Sequence, residues 1–254
     1  MIRAAVAGDA ALVQQRARAA PGVGPRLEVE WALLCQNPKM PYRFYIVDEE
    51  AVLAAGSRDA VLCGPVANEE ELLSFLGFAG ITRLVTDGTL LFGWMPDLMQ
   101  VMEWTGGARQ SEAPAALPQG FVDKPPMEEV MDVLAASMPE HGGAWRDGFY
   151  ADVCARQNHG LAHMVGLRRA GALVAVAGAL CLTPAEAYLG GVETLPAWQG
   201  QGFASALVRH LCGLYAQRRV TLLCQGQLVP FYTRLDFMPG RGVALGSRAP
   251  GERG

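Results

Sequence analysis

The stretch Gly190 to Leu207, GGVETLPAWQGQGFASAL, decides how the chain is read. An apolar strand pattern runs into Pro196. Gln199-Gly200-Gln201-Gly202-Phe203-Ala204 follows, and then an amphipathic helix starts. Small residues at three loop positions leave backbone N–H groups uncovered by side chains. The new helix adds its own unpaired N–H groups and the positive end of its dipole. Together they make a receptor for phosphate oxygens.

Other glycine-rich loops do not fit. A Walker loop needs Gly-Lys-Ser/Thr, and this stretch has no lysine. A dinucleotide fingerprint needs an acidic residue roughly 20 positions on; Ser205 passes for its third small residue, but the later strand at Val220 to Leu223 carries no Asp or Glu. The pattern Q/R-x-x-G-x-G/A does fit, through Gln199, Gly202 and Ala204, and Val192, Thr194, Leu195 and Pro196 form the run into it. Here the sequence resembles the GNAT superfamily of acyl-CoA N-acyltransferases.

That resemblance implies an α/β fold with a central mixed sheet flanked by helices, and acetyl-CoA as co-substrate. It implies that Gln199, Gly200, Gln201, Gly202, Phe203 and Ala204 wrap the CoA pyrophosphate. A backbone N–H from Val192, Glu193, Thr194 or Leu195 would polarise the thioester carbonyl; Pro196 has none to give. Gly190-Gly191 permits a bulge that parts this strand from the next. The segment Phe231-Tyr232-Thr233-Arg234-Leu235-Asp236-Phe237 is similar to the family's F-Y-x-x-x-G-F, with Asp236 where glycine is usual. It makes Tyr232 the candidate general acid, since a phenol with pKa about 10 is protonated at neutral pH. Gln225 stands where the family often has an asparagine on the CoA arm.

For the base, Glu193 lies beside the expected thioester, with Glu186, His141 and His163 as alternatives, or no dedicated base at all. Trp145, Phe149 and Tyr150 either line the acceptor pocket or belong to the core, and Trp198 is a packing residue or a lid. No Cys or Ser is placed as an acyl carrier, so direct transfer in a ternary complex to a small-molecule or peptide amine is expected. A catalytically silent CoA-binding sensor or interaction module is the alternative.

Composition sets the frame. With 254 residues, 51% hydrophobic and 18% charged, the chain can bury a large core or two small ones. A net charge of −4 gives no basic footprint for nucleic acid. No apolar run reaches the roughly 18 residues of a membrane span, and the first ten residues are too weakly apolar for a secretory signal. The six cysteines are scattered, without a CxxC or Cys/His cluster, so no metal is expected and a cytoplasmic setting is.

Along the chain, helices are expected at Asp9–Ala20, Glu28–Cys35, from Asn68, from Pro125, at Trp145–Arg156, Phe203–Gln217 and Val229–Leu235. The helix from Pro125 shows one apolar face, Met127, Val130, Met131, Leu134 and Met138. In the helix at Phe203 the expected face is Phe203, Ala206, Leu207, Leu211, Leu214 and Tyr215. Strands are expected at Arg43–Asp48, Val52–Ser57, Ala60–Cys63, Ile81–Thr86, Ala162–Leu167, Ala172–Leu182, Ala187–Thr194, Val220–Cys224 and Phe237–Leu245. Leu90–Pro96 reads as a turn or helix leading into Met99–Trp104. Arg43-to-Gly56 echoes His163-to-Gly178, and Phe92-to-Pro96 echoes Leu235-to-Pro239. Two similar halves follow: a degenerate one at 1–105, a linker at 106–120, an acetyltransferase domain at 121–246 and a tail at 247–254. Only the second half carries the phosphate loop.

Overall fold

The computed structural model describes residues 1–88, 94–106, 117–137 and 143–247. The chain folds into two compact units that interleave along the sequence. One comprises Met1–Val101, Leu223–Val229 and the residues from Pro239; the other comprises Met102–Leu222 and Pro230–Met238. The units therefore do not follow a cut at 105 and 121. Most of the expected linker, and residues 248–254 of the expected tail, lie outside the described residues.

The first unit runs β1 (Ile2–Ala4), α1 (Ala10–Ala19), α2 (Gly24–Gln36), β2 (Arg43–Val47), β3 (Ala51–Ala55), β4 (Asp59–Cys63), α3 (Glu69–Phe78), β5 (Arg83–Thr86) and the start of β6 (Met95–Trp104). β1, β2, β3 and β4 pair antiparallel in turn, and β4 pairs parallel with β5. Ala51, Leu53, Leu62, Leu72, Leu76 and Leu84 form its core.

In the second unit come β7 (Phe121–Asp123), α4 (Met127–Ser137), α5 (Gly143–Asn158), β8 (His163–Arg169), β9 (Ala172–Leu182), β10 (Glu186–Thr194), α6 (Phe203–Leu214) and β11 (Arg219–Gln225). After them follow α7 (Val229–Thr233) and β12 (Phe237–Ser247). β7 through β10 pair antiparallel in turn, and β10 pairs parallel with β11. Strand, two helices, three strands, helix and strand thus recur in the same order and sense in both units. The halves expected from the sequence echo are present.

The added length of the second copy enters at three places, the first in the longer β9, since β3 and β9 start 121 positions apart (51 to 172). β4 and β10 start 127 positions apart (59 to 186) and α3 and α6 134 apart (69 to 203). β5 and β11 start 136 apart (83 to 219), and β6 and β12 142 apart (95 to 237). The loop before α6 and the turn holding α7 take up most of the difference.

Several boundaries differ from expectation. Pro25 sits in the first turn of α2, where its missing N–H costs nothing, so that helix starts earlier than Glu28. Met95 and Pro96 open a ten-residue strand; residues 89–93 lie outside the described set. β12 pairs with β5 in the first unit, from Ala244↔Thr86 to Ser247↔Arg83. On α4, Met127, Val130, Met131 and Leu134 are buried as expected, while Met138 lies outside the described residues. On α6 the buried face is Phe203, Leu207, Val208, Leu211 and Cys212; Leu214 is 52% exposed. The three-residue strands β1 and β7 were too short to leave a pattern.

Candidate active site

The end of β10, the loop after it and α6 all belong to the second unit. β10 pairs with β11 at Glu186, Ala187, Tyr188 and Leu189, while β10 itself continues to Thr194. Its pairing with β9 shifts register between Gly190 and Glu193. Gly191, at φ +59°, lies in that shift. This is the bulge expected at the two glycines.

Beyond the bulge, Glu193 lies opposite Val176 and Thr194 opposite Ala175. The Leu195 N–H donates to the Val174 carbonyl at 2.9 Å. Leu195 therefore cannot be the carbonyl-polarising donor, which corrects the expectation for that residue. Antiparallel pairing alternates, so the Thr194 N–H faces away from β9. Thr194 itself is buried, and its Oγ1 has no hydrogen-bond partner among the described residues. A buried orphan hydroxyl typically costs about 1–3 kcal/mol.

Pro196–Trp198 forms a single 3-10 turn, in which Trp198 N–H donates to Leu195 and Gln199 N–H to Pro196. The Gln199 side chain donates to the Thr194 carbonyl at 3.1 Å and ties the loop back to the strand. Gly200 and Gly202 have φ of +76° and +79°. A Cβ at either would meet nothing within 4 Å. The left-handed backbone, not crowding, is what calls for glycine there. From Gly200 to Ser205, no amide donates to a backbone carbonyl among the described residues; the series resumes at Ala206, which donates to Gly202. The helix has no side-chain cap. Gln201 is exposed, Phe203 is buried and Ala204 half-buried.

The first unit handles the same helix entrance differently. The Ala67 and Asn68 amides donate to Asp48 Oδ2 at 2.9 and 3.0 Å. The Glu71 amide donates to the Asn68 side chain at 3.1 Å. Glu69, Glu70 and Glu71 fill the first turn of α3. The Met1 ammonium, then the Asn68 and Ala67 amides, hold the Asp48 carboxyl down to about 2. A carboxylate of the chain itself thus stands where a phosphate would sit. Gly64 N–H donates to Asp87 Oδ1 and Asp87 N–H to the Leu62 carbonyl, which joins the ends of β4 and β5.

Tyr232 is buried in α7, with its ring edge-on to Phe231 at 4.9 Å and to Phe237 at 5.7 Å. Asp236 takes φ +66°, the left-handed turn that glycine would take more easily. Gln225 belongs to the first unit and lies exposed, accepting from the Gln227 side chain at 2.6 Å. Trp145 and Phe149 stack at 5.4 Å and pack on the same cluster as Leu195 at the end of β10. Tyr150 is 38% exposed and is not part of that cluster; its phenol is pushed up chiefly by Cys154, one turn on. Trp198 lies 6.4 Å from the Phe203 ring, a packing neighbour.

Among the proposed bases, Glu193 is half-buried beside the bulge. Glu186 is buried and accepts from Thr221 Oγ1, which makes it a strand-joining carboxylate. Both ring nitrogens of His163 are engaged, Nδ1 with the Tyr215 hydroxyl at 2.8 Å and Nε2 with Asp123. His141 lies outside the described residues. Arg169 stands outside every motif, yet its guanidinium lies 4.6 Å from the Phe203 ring centre and adds positive charge at the entrance of α6. Only its place in the β8–β9 hairpin was visible in the sequence. Among the described residues there is no cluster of metal ligands and no helix long and apolar enough to cross a membrane.

Residues 128–237 match the model of the acetyltransferase (GNAT) family. No functionally curated protein matches the chain. Among solved structures, a Drosophila protein aligns with TM-score 0.69 at 11% identity, over 99% of this chain and 99% of that one. A GCN5-related N-acetyltransferase from Sphaerobacter thermophilus aligns with TM-score 0.60 at 16% identity, over 97% and 94%. A tandem GNAT protein from the clavulanic acid biosynthesis pathway aligns with TM-score 0.57 at 14% identity, over 99% of each chain. At these identities the likeness concerns the fold, which here extends over both halves.

Proposed function

We propose, from the match of residues 128–237 to the acetyltransferase (GNAT) family, that the protein transfers an acetyl group from acetyl-CoA to the primary amine of a small molecule. The observation that carries the proposal is the run of amides from Gly200 to Ser205, which no backbone carbonyl of the described chain accepts from. A diphosphate is the ligand that such a run, at a helix entrance, favours. Arg169 supports it with charge. The first unit's equivalent entrance is taken by Asp48, so one CoA per chain is expected.

With the diphosphate held there, the pantetheine arm runs along the edge of β10 past its last pairing with β11. The Thr194 amide faces that edge and polarises the thioester carbonyl. The neutral amine attacks the carbonyl carbon, Glu193 accepts the proton the amine sheds, and the C–S bond breaks. The departing thiolate takes a proton from the Tyr232 hydroxyl, whose ring is held between two phenylalanines. The products are the N-acetyl amine and CoA thiol.

Calorimetric titration with CoA, joined to a thiol-release assay over a panel of amines, tests this. One CoA per chain and amine-dependent thiol release are expected. Tyr232→Phe should lower kcat by about a hundredfold or more, the range of general acid–base catalysis, with KM for acetyl-CoA little changed. CoA binding without turnover on any amine would favour a CoA-binding sensor instead, and no CoA binding would refute both.

A further inference from the structure

One surface of β10 faces α4 and the cluster that α4 shares with α5. A Cβ at Gly190 would meet Leu180 Cδ1 at 2.7 Å and Tyr188 Cε1 at 3.6 Å. One at Gly191 would meet Leu134 Cδ2 and Met164 Cε at 3.8 Å. Leu134 and Met164 belong to the α4–α5 cluster, and Leu180 packs against it. Two adjacent residues thus face the same side, as the register shift between Gly190 and Glu193 permits.

Alternation then carries Glu193 and Leu195 to that side, and Leu195 indeed packs on the cluster together with Trp145 and Phe149. The face reads Tyr188, a gap of two glycines, Glu193 and Leu195. The Trp145–Phe149 stack, with rings 26° from parallel, stands on the same cluster. The cations of α5 are matched by local acids: Arg146 pairs with Asp132 at 2.7 Å and Arg156 with Asp152 at 2.6 Å. Among the described residues, this face of β10 and the cluster packed on it thus present the Glu193 carboxylate beside aromatic and aliphatic side chains.

We propose that the acceptor is a primary amine on an aromatic or bulky apolar body, without an acidic group, its nitrogen directed to Glu193 and its body laid against Trp145 and Phe149. This rests on the acetyl-transfer reading. An acceptor with a carboxylate or a second ammonium would bring a further charge against this largely apolar face, at a desolvation cost. An aromatic body gains the offset or edge contacts that ring pairs favour.

The test measures kcat/KM for 2-phenylethylamine, hexylamine, lysine and spermidine at saturating acetyl-CoA, with CoA binding followed separately by calorimetry. 2-Phenylethylamine is expected to exceed lysine and spermidine by about tenfold or more. Trp145→Leu and Phe149→Leu should each cost it about tenfold, through KM, while hexylamine loses less and KM for acetyl-CoA stays put. A preference for lysine or spermidine overturns the proposal, as do equal losses for every amine or CoA binding with no amine acetylated; in the first two cases acetyl transfer stands. If calorimetry shows no CoA binding, the donor assignment fails and this inference falls with it. If the leucine variants do not fold, the wild-type ranking alone decides.

Discussion

Substituting Gly202 by alanine, asparagine and valine separates backbone conformation from space. A Cβ at this position meets nothing within 4 Å, so a steric account expects all three variants to behave alike. The backbone lies at φ +79°, where an L-residue with a Cβ is strained by about 1–2 kcal/mol. That strain must appear somewhere. If the loop keeps its shape without ligand, alanine lowers the folding stability by that amount and leaves CoA affinity alone. If the free loop relaxes, stability is spared and CoA binding weakens about five- to thirtyfold, since about 1.4 kcal/mol is tenfold. The two losses together should come to about 1–2 kcal/mol for alanine. They should be smaller for asparagine, which visits this region, and larger for β-branched valine. Denaturant melts give the first quantity and CoA calorimetry the second. A valine variant equal to wild type in both would refute the reasoning.

Other expectations follow from the same geometry. Gln199→Ala removes the bond to the Thr194 carbonyl and should weaken CoA binding by about 0.5–1.5 kcal/mol, read by calorimetry. Asp236→Gly should be neutral or stabilising by up to about 1 kcal/mol in thermal melts, because glycine takes φ +66° without the Cβ penalty. Asp48, held down from 3.8 to about 2, binds its proton more weakly folded than unfolded. Its contribution is therefore complete above pH about 4 and lost as pH falls through about 2, and Asp48→Asn should flatten acid unfolding in that window.

The parts of the site that were legible in the sequence are those set by neighbours in the chain. Glycines at 200 and 202 followed by an apolar helix announce a left-handed entry into α6, and Gly190-Gly191 announces a bulge, because both depend on local backbone freedom. The parallel order of the two halves also showed, since each strand and helix carries its own apolar rhythm. What stayed hidden depends on pairing at a distance. Asp48 reaches Ala67 and Asn68 because a tight hairpin aims it there, and no spacing rule links them. Arg169 meets Phe203 only after the hairpin packs on α6. β12 finds β5 across most of the chain. Leu195 was a fair candidate donor until its opposition to Val174 fixed which amides face outward. On α6 the hydrophobicity of Leu214 suggested burial, but the packed face turns toward Val208 and Cys212.

If the amides between Gly200 and Ser205 hold the CoA diphosphate, their own resonances report it. Amide NMR on the 15N-labelled chain, titrated with CoA, addresses it most directly. The account predicts that the largest shifts fall on Gly200 through Ser205 and reach saturation at one CoA per chain, while Ala67 and Asn68 stay still. Shifts centred on Ala67 and Asn68, or none at 200–205 at saturating CoA, would contradict it.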